Sequence, residues 1–399
     1  MKLSNRLESM EFSAIRKLAP FAEDATKRGV SVYHLNIGQP DIPTPSAYME
    51  GVNNYTDKVL KYVNSQGMDP LIESFIKYYK EWNIEFSKSE ILVTNGGSEA
   101  ILFALMSICD PGDEILIPEP FYTNYNALAD LASVKVVPFI TKAEDGFHLP
   151  SKEVITNKIT KKTKAIMVSN PGNPTGVVYT KEEVRMLADI VKENDIFLIS
   201  DEVYREFVYD NLKYTSALYM KDIEEKIILI DSISKRYSAC GARIGLVASK
   251  HKHLMAQMLK LGQSRLCVPV IEQVAATNLI NTPKSYFIKT QKEYEERRNI
   301  LHKYLLKIPG VVCEKPSGAF YVIAKLPIKN AEDFAKWLLT DFNYNNKTVM
   351  VAPAEGFYAT DGLGINEIRL SYCLNTTALK DAMGILKIAL EKYISLNKN

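Results

Sequence analysis

The feature that most restricts the fold of this 399-residue chain is an alternation of short apolar runs with helical patterns along its middle part. The apolar runs are rich in Val and Ile, and they cover residues 115–118, 134–140, 165–169, 196–200, 227–230 and 244–248. Such runs are typical of parallel strands that are covered on both faces. Helical patterns at 98–108 and 181–193 lie between some of them. The alternation predicts an α/β fold, with a mostly parallel sheet between helices.

The last third of the chain follows a different pattern. A charged helical pattern covers about 284–307 and a second helical pattern covers about 377–393. Between them lie three strand candidates, at 319–323, 348–352 and 367–373. Helices and strands that are grouped rather than alternating predict a smaller α+β domain.

The first 45 residues predict one helix at 6–18, followed by a Pro-rich exit at 38–45. This segment packs either on a neighbouring subunit or on the C-terminal domain, and the pattern leaves both open. We therefore divide the chain into an arm with part of the small domain (1–45), a large domain (46–285) and a small C-terminal domain (286–399).

Charge and cysteine usage exclude several classes of function. Lys plus Arg number 49 and Asp plus Glu number 47, so a net charge of +2 gives no sign of a nucleic-acid-binding surface. No apolar run approaches the roughly 18 residues of a membrane span. The five cysteines include no Cys-x-x-Cys pair, and the five histidines show no ligand spacing. We therefore expect a cytoplasmic protein without metal, membrane or nucleic-acid partners.

The most informative segment for chemistry follows the predicted strand at 227–230. Lys235 is preceded by Ser232 and Ser234, and Arg243 follows eight positions later between two glycines. Burial disfavours the charge of a lysine and makes it a usable amine nucleophile for an aldehyde. Serine hydroxyls and an arginine are donors that hold a phosphate. Taken alone, the segment is equally explained by a solvated lysine in a turn.

Three more segments place polar groups where strands end or a helix begins. The loop Asn170-Pro171-Gly172-Asn173-Pro174-Thr175-Gly176 fixes Asn173 after one strand, and Asp201 with Tyr204 follows the next. Gly97 and Ser98 open a helix, where free N–H groups attract anions. Each segment alone is also explained by a tight turn or a helix cap.

Together, in this order, these segments resemble the class I/II pyridoxal-phosphate-dependent aminotransferases, the aspartate aminotransferase superfamily of fold type I. The resemblance covers essentially the whole chain. It implies a large α/β domain, a smaller domain and a homodimer with active sites at the subunit interface. It also implies pyridoxal 5'-phosphate as cofactor and a ping-pong transfer of an amino group between an L-amino acid and a 2-oxo acid such as 2-oxoglutarate.

The resemblance assigns the cofactor residues. Lys235 would hold the cofactor as an imine and later move the substrate proton, and Asp201 would pair with the pyridine nitrogen. Tyr204 and Asn173 would donate to the phenolic oxygen, and Tyr122 would stack on the ring. The phosphate would be held by Gly97, Ser98, Ser232, Ser234 and Arg243, and by Tyr62 reaching across from the partner subunit.

The resemblance also assigns the substrate residues. Arg369 would bind the substrate α-carboxylate, with Gly38 and Asn173 beside it. Side-chain selectivity is less determined. Ser98 stands where the aspartate-using branch has a lysine, and Ile15 replaces one hydroxyl of a pair to which Ser13 belongs.

Other members of the superfamily use an arginine from the partner subunit, and this resemblance makes Arg265, reaching across from the partner subunit, our candidate receptor for a distal carboxylate. Aspartate and a neutral or aromatic donor both stay open. Two other functions fit the same fold. One is a carbon–sulfur β-lyase. The other is a non-catalytic cofactor-binding regulator, which would need a DNA-binding segment ahead of the domain, whereas Met1 starts almost directly on the arm.

Overall fold

A computed structural model describes residues 1–397 and places a seven-stranded sheet at the centre of the larger part. Its order is β2-β8-β7-β6-β5-β3-β4, and the five strands β7, β6, β5, β3 and β4 run parallel to one another. Only β8 runs antiparallel, to both β7 and β2. The seven strands are β2 Ile91–Thr94, β3 Glu114–Glu119, β4 Lys135–Ile140, β5 Thr163–Ser169, β6 Phe197–Asp201, β7 Ile227–Ser232 and β8 Gly245–Ala248. The expected α/β fold with a mostly parallel sheet is confirmed.

Both faces of this sheet are buried, as the apolar runs predict. Neighbouring residues of one strand enter different core clusters: Leu116 joins one, whereas Ile115 and Ile117 join the other. The helices of this part are α3 Ser46–Asn53, α4 Asp69–Glu81, α5 Gly96–Ile108, α6 Asn124–Ala132, α7 Lys152–Thr156, α8 Lys181–Asn194, α9 Ile233–Arg236, α10 Lys252–Arg265 and α11 Val270–Thr277. Helix α8 covers the first face and α5 the second. Burial on both faces leaves the strand ends as the natural place for polar chemistry.

The smaller part has two sheets and three long helices around a separate core. Strands β11 Ala352–Pro353, β12 Glu367–Ser371 and β9 Tyr321–Lys325 form one antiparallel sheet. Strands β1 Ser31–His34 and β10 Lys347–Met350 form a parallel pair. The helices are α12 Lys284–Leu305, α13 Ala331–Thr340 and α14 Thr376–Leu396. Since Ser31 pairs with Lys347, the N-terminal segment contributes a strand to the C-terminal part; the domain boundaries at 45 and 285 stay a prediction.

The prediction of one helix at 6–18 is wrong. Helix α1 Asn5–Ser9 ends early, and α2 Ala19–Lys27 begins after a turn. A single amphipathic helix at 6–18 would place its apolar residues on one buried face. In the structure, Phe12 is fully exposed whereas Leu18 is buried. Pro20 in the first turn of α2 starts a new helix there. The alternation pattern also missed β1 and β2.

Among residues 1–397, every helix is either too short or too polar to serve as a membrane-crossing segment.

Candidate active site

A cavity with about 700 Å³ of empty volume opens where the parallel strands β5, β6 and β7 end. These neighbours finish at Ser169, Asp201 and Ser232, and helix α5 begins beside them. Ten of the predicted cofactor residues line it: Gly97, Ser98, Tyr122, Asn173, Asp201, Tyr204, Ser232, Ser234, Lys235 and Arg243. The structure thus brings into one place residues that are spread over nearly 150 positions of the chain.

Lys235 lies on the short helix α9, which starts directly after β7. Ser232 caps this helix by accepting a hydrogen bond from the Ser234 backbone N–H. The Lys235 Nζ donates to the Gly38 carbonyl oxygen at 2.8 Å and lies 3.8 Å from the Cys240 Sγ. The amine is therefore held at the cavity wall, between the large part and the N-terminal segment.

Burial is one of several influences on the pKa of the Lys235 amine. Burial does oppose its charge, but Tyr321 and Cys240, which are negative when ionised, act in the other direction and the pKa is raised overall. The free amine is accordingly protonated near neutral pH. Its use as a nucleophile requires that it lose this proton when a carbonyl compound arrives.

Asp201 is a buried acid without a cationic side chain beside it. Burial raises its pKa to about 6, although the Tyr125 hydroxyl donates to Oδ2 at 2.7 Å and the Val203 N–H donates to Oδ1 at 3.3 Å. Within residues 1–397, no Lys, Arg or His forms an ion pair with it. A buried carboxylate of this kind is stabilised when a cation enters the cavity.

The N-terminus of α5 and Arg243 form a tight cradle at the other end of the cavity. Gly96 has a φ of +77°, and a Cβ there would lie 2.2 Å from the Arg243 Nη2. The Ser232 and Ser234 hydroxyls are 2.7 Å apart beside it. Backbone N–H groups at a helix start, two hydroxyls and a guanidinium form a donor set suited to a phosphate.

Of the three predicted substrate residues, Asn173 lines the cavity, whereas Arg369 and Gly38 lie beside it. Arg369 is 1% exposed on β12, and its guanidinium donates to the Asn173 Oδ1 at 3.2 Å and to the Asn36 carbonyl oxygen. It stacks against the Tyr321 ring at 4.5 Å. Gly38 is needed for space, because a Cβ there would lie 1.8 Å from the Tyr321 hydroxyl.

Two predicted residues lie away from the cavity. Tyr62 is 80% exposed, so its proposed contact with a partner subunit stays a prediction. Arg265 is engaged inside its own chain: Nη1 contacts the Glu99 Oε2 at 3.2 Å, and Nη2 donates to the carbonyl oxygens of Ser65 and Val93. Its guanidinium would have to give up these bonds to receive a substrate carboxylate.

Sequence reasoning missed six residues of the cavity wall, and three of them, Tyr125, Tyr321 and Cys240, contact predicted site residues. The Tyr125 hydroxyl donates to Asp201, and its ring packs edge-on against that of Tyr122 at 5.5 Å; because Tyr122 precedes helix α6, helical spacing does not link the two residues. Tyr321 contacts the Tyr204 hydroxyl at 2.9 Å, but it comes from the distant β9 without a local motif. Cys240 lies between Lys235 and Arg243 in the chain, where no motif marks it.

The arrangement can hold an aldehyde cofactor that carries a phosphate and a basic ring nitrogen. Asp201 lacks a cation, Lys235 offers an amine in the same cavity, and the cradle at Gly96 offers phosphate donors. Burial raises the pKa of Tyr204, so its hydroxyl stays protonated and can donate. The residues present therefore fit pyridoxal phosphate.

Comparison with known proteins finds sequence similarity over nearly the whole chain. The family model described as aminotransferase class I and II matches residues 30–386. The aspartate aminotransferase of Bacillus subtilis is 31% identical over 98% of this chain and 100% of its own length.

Solved structures match as closely. A single mutant of Thermus thermophilus aspartate aminotransferase superposes with a TM-score of 0.89 at 28% identity, covering 98% of this chain and 100% of its own. The alanine aminotransferase of Pyrococcus furiosus has a TM-score of 0.88 at 28% identity, with the same coverage.

Proposed function

Because this chain belongs to the aminotransferase class I and II family, we propose that it moves an amino group between an L-amino acid and 2-oxoglutarate, or a similar 2-oxo acid, by a ping-pong mechanism. It is a pyridoxal-phosphate-dependent transaminase of fold type I, with amino acid and oxo acid substrates. The observation that carries the proposal is the cavity itself, in which the Lys235 amine, the unpaired Asp201 and the phosphate cradle meet.

Each residue then has a definite task. When bound, the cofactor supplies an electron sink for the electron pair that remains when the substrate Cα loses its proton. Lys235 anchors it and, once free, holds and moves that proton. Asp201 keeps the ring nitrogen protonated, Tyr204 and Asn173 orient the ring oxygen, and Tyr122 packs against the ring.

Arg369 is the receptor for the α-carboxylate that every substrate carries. Two of its nitrogens already bond to Asn173 and Asn36, so the guanidinium plane is fixed before a substrate arrives. A fixed plane favours a two-point contact with a carboxylate and limits the entropy lost on binding. Burial lowers the pKa of Arg369, and an arriving carboxylate offsets the cost of that buried charge.

The donor side chain is assigned less closely. Aspartate is supported by the names of the relatives. A neutral or aromatic donor is supported by Ser98, which offers no positive charge in the cavity, and by the bonds that hold Arg265 elsewhere. Both belong to the proposal.

The deciding experiment is a panel of aspartate, glutamate, alanine and phenylalanine with 2-oxoglutarate as acceptor. With each accepted donor, a transaminase forms glutamate from 2-oxoglutarate. Glutamate itself is tested as a donor with oxaloacetate as the acceptor. Each full turnover of a transaminase consumes one molecule of 2-oxo acid in the second half-reaction. A carbon–sulfur lyase instead releases pyruvate and ammonia from one substrate alone. Release of pyruvate and ammonia from cysteine-type substrates, with no transfer from any donor, would contradict the proposal.

The proposal extends to assembly and location. Tyr62 is exposed in one chain, and its assigned contact with a neighbour's phosphate makes a homodimer the simplest complete enzyme. All five cysteines are free thiols in the described part of the chain, which fits a reducing, cytoplasmic compartment.

A further inference from the structure

Behind the cavity, four buried charged side chains each belong to a sequence neighbour of a proposed site residue. Glu202 follows Asp201, Arg205 follows Tyr204, Asp231 precedes Ser232 and Arg236 follows Lys235. Their exposed fractions are 0%, 1%, 0% and 2%. We call Glu202, Arg205, Asp231 and Arg236 the rear network.

The rear network is continuous. The Arg236 Nη1 donates to both Asp231 oxygens, at 2.7 and 2.8 Å. The Arg205 Nη1 lies 3.7 Å from the Asp231 Oδ2, and its Nη2 donates to the Glu202 Oε2 at 2.7 Å. The network therefore joins the end of β6, the turn after it, the end of β7 and helix α9, which are the segments that carry the site residues.

The outer ends of the network are anchored as well. The Ser200 and Ser216 hydroxyls and the Ala217 N–H all donate to Glu202. At the other end, the Tyr79 hydroxyl donates to the Asp231 Oδ2. Neither carboxylate can turn without losing several bonds, so the network is stiff.

Stability is a poor explanation for this arrangement. The two carboxylates and two guanidiniums have no net charge. However, the free energy lost by removing four charges from water is about as large as the free energy gained by their pairing. Apolar residues of similar size would therefore stabilise the core equally well. The Nε atoms of Arg205 and Arg236 have no acceptor in the described structure, which adds to the cost. A buried charge network that brings little stability is better explained by what it holds in place.

We propose that the rear network positions Lys235 and Asp201 relative to each other, so that Arg236 and Asp231 are positioning residues for the cofactor. The inference rests on the proposed roles of Lys235 and Asp201. It goes beyond these roles, because neither Arg236 nor Asp231 lines the cavity. Arg236 shares the four-residue helix α9 with Lys235, so a change of its bonds to Asp231 is passed directly to the amine.

The test uses a charge-neutral double variant, Arg236→Met with Asp231→Asn, which removes the pair without leaving a buried charge. The control is Arg298→Met with Asp210→Asn, a pair of a buried arginine and a half-exposed aspartate. Arg298 is also a fully buried arginine, and it contacts Asp210 at 2.7 Å, away from the cavity lining. For each protein we would measure the melting temperature, the dissociation constant of added pyridoxal phosphate, and the pH midpoint of the bound cofactor's visible absorbance.

We expect the Arg236/Asp231 variant to melt close to the wild-type temperature, because the buried pair contributes little stability. Only the Arg236/Asp231 variant should bind the cofactor about tenfold more weakly and shift the absorbance midpoint, as for residues coupled in one network. If its dissociation constant and midpoint match the wild type, the network does not position the cofactor residues and the inference is wrong, whatever the melting temperature.

Should that variant not fold, Arg236→Lys carries the test, because it keeps the charge but shortens the reach to Asp231. Wild-type values of both cofactor readouts in Arg236→Lys would then overturn the inference. Borohydride reduction of the wild type distinguishes a failure of the proposed cofactor site from a failure of the inference about the rear network. A label on another lysine overturns the proposed site, whereas a label on Lys235 with unchanged variants overturns the inference alone.

Discussion

Replacement of Asp201 by Asn should make the cofactor-free protein more stable at alkaline pH. Burial raises the pKa of Asp201 from 3.8 to about 6, so the folded protein disfavours the ionised acid more than the unfolded chain does. For an acid whose pKa is raised by folding, stability is intact below the unfolded pKa and is lost as pH rises through the folded one. A shift of this size corresponds to about 3 kcal/mol.

The cost of ionising Asp201 therefore has a defined pH window. It is about 3 kcal/mol above pH 7, about half of that near pH 5, and close to zero below pH 4. Asn retains an oxygen that can accept from Tyr125, so the variant removes the charge while keeping the contact that places the side chain.

The assay is urea unfolding of both cofactor-free proteins near pH 8 and near pH 5 at one protein concentration. We expect Asp201→Asn to gain stability at both pH values, with the larger gain at the higher one. Asp210→Asn is the control of opposite sign. Arg298 lowers the pKa of Asp210 to about 2, so this variant should lose stability by a similar amount at both pH values. An Asp201→Asn gain that is absent, or equal at the two pH values, would refute the reasoning.

Four shorter predictions follow from the site. Lys235→Ala should still bind pyridoxal phosphate but should lose turnover and the borohydride label, as peptide mass spectrometry of the reduced wild type and variant would show; a label on a different residue would contradict the assignment. Arg369→Lys should lower kcat/KM for all four donors of the panel by about tenfold to a hundredfold, because a lysine cannot make the planar two-point contact; a loss confined to one donor would point to a side-chain role. Arg265→Ala should lower turnover of aspartate and glutamate far more than that of alanine and phenylalanine if Arg265 receives a distal carboxylate, whereas a uniform loss would mean that its bonds to Glu99 and Ser65 are its function. Sedimentation should show at least a dimer, and a fully active monomer would exclude the contact assigned to Tyr62.

The parts of the site that the sequence predicts are those that the local chain positions by itself. Asp201 and Lys235 each come at or just after the end of an apolar strand, and parallel neighbours end at the same edge of a sheet. Gly97 and Ser98 lie in the first turn of helix α5, and the pair Gly96-Gly97 signals this helix start in the sequence. For these residues, strand order and helix start are enough to place the side chain in the cavity.

The parts that could not be predicted depend on packing between distant segments. Tyr321 reaches Tyr204 only because β9 of the smaller part comes up against the large sheet's edge, and no periodicity encodes that approach. The engagement of Arg265 by two backbone carbonyls is equally a product of tertiary contact. The raised pKa of Lys235 belongs to the same class, because it depends on neighbours rather than on burial alone.

The pairing of β1 with β10 also has a consequence for biosynthesis. Ser31 leaves the ribosome more than 300 residues before its partner Lys347, and at typical synthesis rates of about 5–20 residues per second this is an interval of roughly 15–60 s. Strand β2 waits in the same way for β8, since Ile91 pairs with Ala248. During translation, the nascent chain therefore carries two strands, β1 and β2, without their hydrogen-bonding partners. Strand β2 can join the large sheet only after β8, and thus most of the large part, has been synthesised. A protein built in this order depends on protection of its early strands, and we expect its yield in cells to fall sharply when chaperone capacity is limited, while refolding of the full-length chain is much less affected.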